Sequence, residues 1–500
     1  FLAAPLTAQR PDRGDRPERV QPDSAKANPG STPQEDSSVT EHAITIAGKP
    51  VPYRAMAATR LLKNDSGQAI GSLYYTAYTR TDTKDLSHRP ITFIYNGGPG
   101  SASVWLQMGA FGPRKVVTSD AAPTPPAPYQ LVDNANSLID VTDMVFIDPI
   151  GTGFSKVVGK GTGKDFWGVD EDAASIEQFI TSYVSRNGRW NSPKYLLGES
   201  YGTTRSAVLV NRMQDREGMD FNGVVLISSV LDFETLNFAT GHDISYELYL
   251  PSYAATAVYH KVTPAPADLP AFLKQVRDYA EGPYAAALDK GLSISDAEKT
   301  AVAKQLAAYT GLSEDYIEKA NLRVSLGQFM EELQRSKGVI VGRLDSRFTG
   351  PTFDLLSEEA EYDPQSNAIT GAYTAAWNGY VRDELKYGKD LHYSTGGTVR
   401  GWNWARGRGG WTTATYVGSD LARALVSNPN LKVQVENGYY DLATPFFATE
   451  YTMDHLPMLA PARSRIDFKY YDAGHMMYVY EPALTKLKGN IAAFIQSTHQ

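Results

Sequence analysis

The chain has 500 residues, 42% of them apolar and 11% aromatic, enough for one large core with an insertion or for two domains. A formal net charge of −8 with no long basic run argues against nucleic-acid binding, which needs clustered Lys and Arg to neutralise phosphates. Cysteine is absent, which removes disulfides, thiolate metal sites and a cysteine nucleophile, and no run of about 18 apolar residues is present to span a membrane.

In chain order, residues 1–9 read as the tail of a signal-peptide apolar region with a small-residue cleavage site, which predicts export, periplasmic or secreted. Residues 10–38 are rich in Pro, Asp, Arg, Ser and Gln and predict a disordered linker, with folding starting near Val39. Stretches of β character at 44–46 and 72–78 flank the turn Asn64-Asp65-Ser66-Gly67 and predict antiparallel strands at a sheet edge. From 91 to 230 apolar strands at 91–95, 144–147, 195–197 and 224–227 alternate with helices. One helix runs over 170–184, where Ala173, Ile176, Phe179, Ile180 and Tyr183 recur at helical spacing, the mark of core packing. Such alternation predicts a mostly parallel sheet with helices on both faces. Residues 241–408 break it with helices at 269–279, 295–309, 326–333 and 373–386, the second opened by a capping box of Ser295 and Glu298. Strands at 431–435 and 466–471 and a helix at 482–496 restore it. The expected organisation is a signal remnant and linker (1–38), a first α/β segment (39–240), a helical insertion or cap (241–408) and a second α/β segment (409–500).

Gly198-Glu199-Ser200-Tyr201-Gly202 directly follows the strand at 195–197 and opens a helix. A serine on that bend sits on a nucleophile elbow, strained and exposed, and the flanking glycines allow backbone to approach closely. Serine is a poor nucleophile unless a base takes its proton and an acid orients the base. The chain order Ser, Asp, His that accompanies such an elbow is met by Asp441, in Asn437-Gly438-Tyr439-Tyr440-Asp441, and by His475, in Asp472-Ala473-Gly474-His475-Met476. Each follows a late strand. His475 is the one histidine of eight that follows a late β-like run through a glycine, and Asp472 is the competing acid. The loop Asn96-Gly97-Gly98-Pro99-Gly100, after strand 91–95, can aim successive amides at an oxyanion, with the amide of Tyr201 as the second donor.

These blocks, together with Gly151-Thr152-Gly153-Phe154-Ser155, resemble in order those of serine carboxypeptidases of the α/β-hydrolase superfamily, specifically the bacterial members. The resemblance runs from about residue 91 to the C-terminus, apart from the insertion. It implies an α/β-hydrolase fold and removal of C-terminal residues from peptides, with Ser200 as nucleophile, His475 as general base and acid, and Asp441 as its orienting partner. It further implies oxyanion donors at Gly98 and Tyr201, and capture of the substrate carboxylate by Asn96, the Gly97 amide and Glu199. A carboxylate cannot hold another unless one carries a proton, so burial must keep Glu199 neutral, which predicts acidic working conditions. The chain departs from the pattern at Ala110, where a second glutamate is expected, and at Ile94, where a tryptophan is often found.

The same triad would serve an esterase, amidase or acyltransferase, since elbow and oxyanion loop do not fix the leaving group; a non-catalytic binding protein on this fold is the reading from another class. Gly159-Lys160-Gly161-Thr162-Gly163-Lys164 fails as a phosphate loop because Val158 and Asp165 stand where Gly and Ser or Thr are required, and it is expected to be a mobile loop. No metal motif is present, so neither metal nor cofactor is expected. Trp402, Trp404 and Trp411 are expected to pack between cap and sheet, the rival reading being a substrate-cleft lining.

Overall fold

Strands β1 (Ser37–Ile46), β2 (Lys49–Lys63) and β3 (Ala69–Arg80) form an antiparallel meander at one edge of a ten-stranded sheet. The structure, a computed structural model, describes residues 33–406 and 414–499. The signal-peptide reading of 1–9, the linker reading up to residue 32 and Trp411 therefore lie outside the described residues. Pairing starts before Val39, because Arg60 Nη1 holds Glu35 at 2.7 Å and the Thr59 amide donates to the Asp36 carbonyl. The Asn64 turn closes on itself, its Oδ1 accepting from the Gln68 amide at 3.0 Å.

Six further strands continue the sheet: β4 (Ile91–Tyr95), β5 (Asp143–Ile147), β6 (Lys194–Glu199), β7 (Gly223–Ile227), β8 (Lys432–Gly438) and β9 (Ile466–Tyr471). The spatial order is β1-β2-β3-β5-β4-β6-β7-β8-β9, with the short strand Lys156–Val157 beside β3. From β5 to β9 every pairing is parallel, and β3 meets β5 antiparallel. This mostly parallel sheet, with helices on both faces, is an α/β-hydrolase fold.

Strands β4 to β7 are buried along their whole length, which explains why they read as continuous apolar runs. Alternate residues serve opposite layers. Ile94, Phe146, Leu197 and Val225 pack with Leu484, Leu487 and Ile491. Phe93, Val145, Leu196 and Leu226 pack with Ile176, Phe179, Leu209 and Leu421 on the other face. A one-residue slip of any strand would exchange the two sets, and each fully buried Leu, Ile or Phe adds about 1.5–3 kcal/mol against that slip.

The helices of the sheet are α1 (Val169–Arg186) and α2 (Tyr201–Glu217), with three more after the insertion. Between β7 and β8 lie α3 (Ile244–Tyr259), α4 (Leu269–Tyr279), α5 (Asp296–Thr310), α6 (Leu326–Glu332) and α7 (Pro364–Asp383). Then come α8 (Gly418–Ser427), α9 (Phe446–Asp454) and α10 (Glu481–Thr498). Helices α3 to α6 share a core of their own, with Leu248, Tyr253, Leu273, Val276, Leu306 and Phe329, and it is sealed against Tyr439 and Phe446 beyond β8, whereas α7 packs through Ile369, Tyr373 and Trp377 into the layer that holds Ile94 and Leu484.

Helix α3 escapes the sequence pattern because it is buried almost all round from Leu248 to Ala257, leaving no polar face to reveal a period. Helix α7 starts well before residue 373, at an Asp363 N-cap whose side chain accepts from the Ser366 amide, with Pro364 at the first helical position. Ser295 caps α5 as expected, but Glu298 turns to Lys290 instead of closing the box; Ser325 with Gln328 forms a complete box on α6. The glycine-rich segment 159–164, read as a loop, is largely exposed and is anchored at its two ends. Val158 donates to the Ile70 carbonyl and Asp165 accepts from the Thr162 amide at 2.7 Å.

Candidate active site

The carboxyl ends of β4, β6, β7 and β8 lie level, since Tyr95 and Leu226 both pair with Gly198 and Ile227 pairs with both Glu199 and Glu436. Loops that leave these strands converge, as ligand sites do in parallel sheets. Ser200 occupies the single position between β6 and α2 at φ +60° and ψ −130°, left-handed backbone that a non-glycine residue adopts only under tight constraint. The constraint is close packing. A Cβ on Gly198 would fall 2.2 Å from the Gly202 carbonyl oxygen, and one on Gly97 would fall 2.4 Å from the Tyr201 amide nitrogen. The elbow and the Asn96–Gly100 loop are thus in backbone contact.

Arg205, fully buried on α2, ties them further: Nη1 donates to the Asn96 carbonyl at 2.8 Å and Nε to Asp172 Oδ2 of α1 at 2.6 Å. The Asn96 side chain accepts from the Leu106 amide at 3.0 Å, while its Nδ2 is buried without a partner among the described residues.

Asp441, 1% exposed, receives the amides of Ala443 and Thr444 on Oδ1 at 2.8 and 2.9 Å. Its Oδ2 takes the Thr444 hydroxyl at 2.9 Å and His475 Nδ1 at 2.8 Å. The competing acid, Asp472, is exposed. Burial works against a proton on His475, but the charge and hydrogen bond of Asp441 outweigh it and hold the imidazole above its ordinary value. With Nδ1 committed to Asp441, Nε2 is left for the cavity.

That cavity, of about 240 Å³, is lined by Ser200, His475, Asn96, Gly97, Gly98 and Glu199, together with Trp105, Arg343 and part of α7. Glu199 is buried, and burial pushes its carboxyl up to about 7 against the opposing pull of His475, Tyr478 and Asn96. Ala110 is fully buried and its carbonyl accepts from Asn134 Nδ2, so it offers the cavity nothing. At the preceding residue two tyrosines fill the space: a Cβ on Gly109 would meet the Tyr373 hydroxyl at 2.0 Å and the Tyr478 ring at 2.8 Å.

The segment 343–346 of the insertion runs between the loops of Asp441 and His475. The Leu442 amide donates to the Arg343 carbonyl at 3.0 Å, the Ser346 amide to the Tyr440 carbonyl at 2.9 Å and the His475 amide to the Leu344 carbonyl at 2.6 Å. The Gly474 amide donates to Asp345 Oδ2 at 3.1 Å. Trp402 and Trp404 stack edge-on against Tyr201 at 5.2 and 6.0 Å, outside the cavity lining, in a packing role.

The structure thus gathers Ser200, His475, Asn96, Gly97, Gly98 and Glu199 around one cavity and sets Asp441 behind the imidazole. Tyr201 holds the first position of α2, where its amide faces the Asn96–Gly100 loop. Thr444, Trp105, Tyr478 and Arg343 were not anticipated. For Thr444 the signal was present, an acid followed three residues later by a hydroxyl, the pattern of a local side-chain turn; the others come from distant segments and carried none. Among the described residues no group of three or more His, Cys, Asp and Glu could hold a metal ion, and no helix is long and apolar enough to cross a membrane. Ser200 and His475 border the same cavity and Asp441 is bonded behind the imidazole, the three residue types that nucleophilic acyl transfer uses.

A family model described as serine carboxypeptidase matches residues 63–332, over half the chain. The pheromone-processing carboxypeptidase KEX1 of Yarrowia lipolytica is 25% identical over 150 residues, 29% of this chain and 23% of that protein. KEX1 of Saccharomyces cerevisiae is 33% identical over 135 residues, 26% of this chain and 17% of that protein. The aligned stretch therefore spans under a quarter of the length of these curated relatives. The crystal structure of a form of KEX1, a prohormone-processing carboxypeptidase from Saccharomyces cerevisiae, superposes with a TM-score of 0.56 at 16% identity, covering 89% of this chain and 92% of that one. That likeness bears on the fold.

Proposed function

The chain belongs to the serine carboxypeptidase family, and from that premise we propose that it hydrolyses the C-terminal peptide bond of peptides through an acyl-enzyme on Ser200. The observation that carries the reading is the buried Asp441–His475 pair, 2.8 Å apart, behind a cavity that Ser200 and the acid Glu199 also line. Ser200 Oγ attacks the terminal peptide carbonyl while His475 Nε2 takes its proton, and Asp441 fixes the tautomer and stabilises the imidazolium. Amides of Gly98 and Tyr201 receive the oxyanion. Collapse of the tetrahedral intermediate breaks the C–N bond, the leaving amine takes its proton from His475, and water activated by the same imidazole releases the shortened peptide from Ser200.

Asn96, the Gly97 amide and Glu199 hold the free carboxylate of the last residue. Glu199 serves as donor in its neutral form, which its value of about 7 favours under acidic conditions. Two measurements test the reading. A blocked dipeptide should be hydrolysed far faster than its C-terminal amide, and equal turnover of the two would defeat the carboxypeptidase assignment. Ser200→Ala should abolish labelling by an organophosphonate; persistent labelling would place the nucleophile elsewhere. Turnover of aryl esters without any peptide turnover would make the chain an esterase on the same residues.

A further inference from the structure

Arg343 sits in the wall of the cavity that holds Ser200 and His475, and its main chain is fixed on both sides. Its amide donates to Asp363 Oδ2, the N-cap acid of α7, at 2.8 Å, and its carbonyl accepts from Leu442 in the Asp441 loop. The side chain is exposed, and no described residue lies within ion-pair distance of its guanidinium or accepts a hydrogen bond from it. Its neighbours in the insertion behave differently. Arg323 pairs with Asp243, Arg335 with Glu332, and Arg347 with both Asp345 and Asp120. Arg343 also borders a second hollow of about 260 Å³ that includes Glu359, yet no ion pair joins the two. The other titratable groups of the catalytic cavity are Glu199 and His475, so Arg343 is the one fixed cation among its described lining residues. Ser366 and Thr370, from α7, add hydroxyls to the lining.

We propose that Arg343 selects the substrate by binding the side-chain carboxylate of a residue next to the scissile bond, so that peptides with Asp or Glu there are preferred. This rests on the carboxypeptidase reading above. The terminal carboxylate already has Asn96, Gly97 and Glu199 assigned to it, which leaves the guanidinium for a second anionic group. The planar guanidinium presents paired donors that match a carboxylate. Its charge also opposes protonation of His475, a step the imidazole must undergo in catalysis. A substrate carboxylate that neutralises the guanidinium removes that opposition, so preference should appear in kcat as well as in KM.

The test uses the full chain and blocked dipeptides in matched Glu and Gln pairs, varied first at the last position and then at the penultimate one, with a Leu dipeptide as reference. The wild-type kcat/KM ratio of Glu to Gln should reach about tenfold at one of the two positions. Arg343→Gln should bring that ratio to about one, and Arg343→Glu should invert it and favour Lys at the same position. A gain of that kind cannot come from mere structural damage, and thermal unfolding of both variants checks that they fold. A ratio near one at both positions in the wild type, or one unchanged in Arg343→Gln, overturns the proposal while continued turnover of the Leu peptide leaves the carboxypeptidase reading intact. An equal loss on all free acids, with the ratio retained, would assign Arg343 to the terminal carboxylate and likewise overturn the side-chain role. If the wild type cleaves none of the peptides, the carboxypeptidase reading fails and this inference with it.

Discussion

Replacing Glu199 by glutamine should remove a pH dependence rather than an activity. Glu199 lies at the end of β6 with its carboxyl pushed up to about 7, first by burial, against the opposing pull of His475, Tyr478 and Asn96. Below that value the group is neutral and can donate to a substrate carboxylate; above it, the group is an anion facing an anion. Affinity for a free-acid peptide should therefore be level well below pH 7 and fall as pH rises through it. The slope should approach about tenfold per pH unit, or about 1.4 kcal/mol per unit, giving about 100-fold by pH 9. Glutamine donates at every pH and cannot ionise, so Glu199→Gln should bind the same peptide with a flat profile. Its side-chain N–H₂ also fits the volume of the carboxyl it replaces. The assay is calorimetric titration of a blocked dipeptide into the Ser200→Ala protein, with and without Glu199→Gln, from pH 5 to pH 9. The C-terminal amide of the peptide is the control and should show no such decline in either protein. An affinity for the free acid that stays level across this range with Glu199 present would refute the reasoning, as would a decline just as steep in the Glu199→Gln protein.

Asp441→Asn should lower kcat by about 10³–10⁴-fold with little change in KM, because an amide N–H₂ beside Nδ1 selects the wrong imidazole tautomer; steady-state kinetics on a free-acid dipeptide reads it, and a loss under tenfold would contradict the Asp441–His475 pairing. Glu436, fully buried on β8 and bonded to the Tyr471 hydroxyl at 2.6 Å, is raised by burial to about 8. Its folded value lies above the unfolded one, so the native state is favoured at low pH and loses stability as pH climbs from about 4.3 to 8, by on the order of 5 kcal/mol. Glu436→Gln should accordingly match the wild type in denaturant melts at pH 5 and exceed it at pH 9, and equal midpoints at pH 9 would count against it. Asp172→Asn leaves the buried Arg205 guanidinium without its counter-charge and should cost about 3–5 kcal/mol, visible as a lowered unfolding midpoint. Replacing both partners by apolar residues should cost less than that single change, and the opposite ranking would show that the pair is not a compensated ion pair.

The parts of the fold legible in the sequence are those that obey one local rule. Strands β4 to β7 announce themselves because both faces are buried, and Ser200, Asp441 and His475 because each stands at a strand end in a fixed chain order. Helix α3 was illegible because burial almost all round leaves it no polar face, and the start of α7 was hidden behind an Asp363-Pro364 cap signal that the polar first turn obscured. Arg343 and Trp105 line the cavity, and Tyr478 acts on Glu199, only through tertiary contact, a relation no spacing along the chain encodes. The clamp shows the limit most clearly. Counting residues reaches Ala110, whereas the space over the neighbouring Gly109 is taken by Tyr373 and Tyr478, supplied by helix α7 and by the turn after His475.

The four bonds that run from residues 343–346 to Tyr440, Leu442, Gly474 and His475 make the inserted segment a splint for the two loops that carry Asp441 and His475. Exchanging inserted helices between relatives to graft a new specificity would therefore succeed only if this short splint is kept from the recipient. A graft that cuts through it would unhinge the Asp441–His475 pair while leaving the sheet, the elbow and the serine untouched.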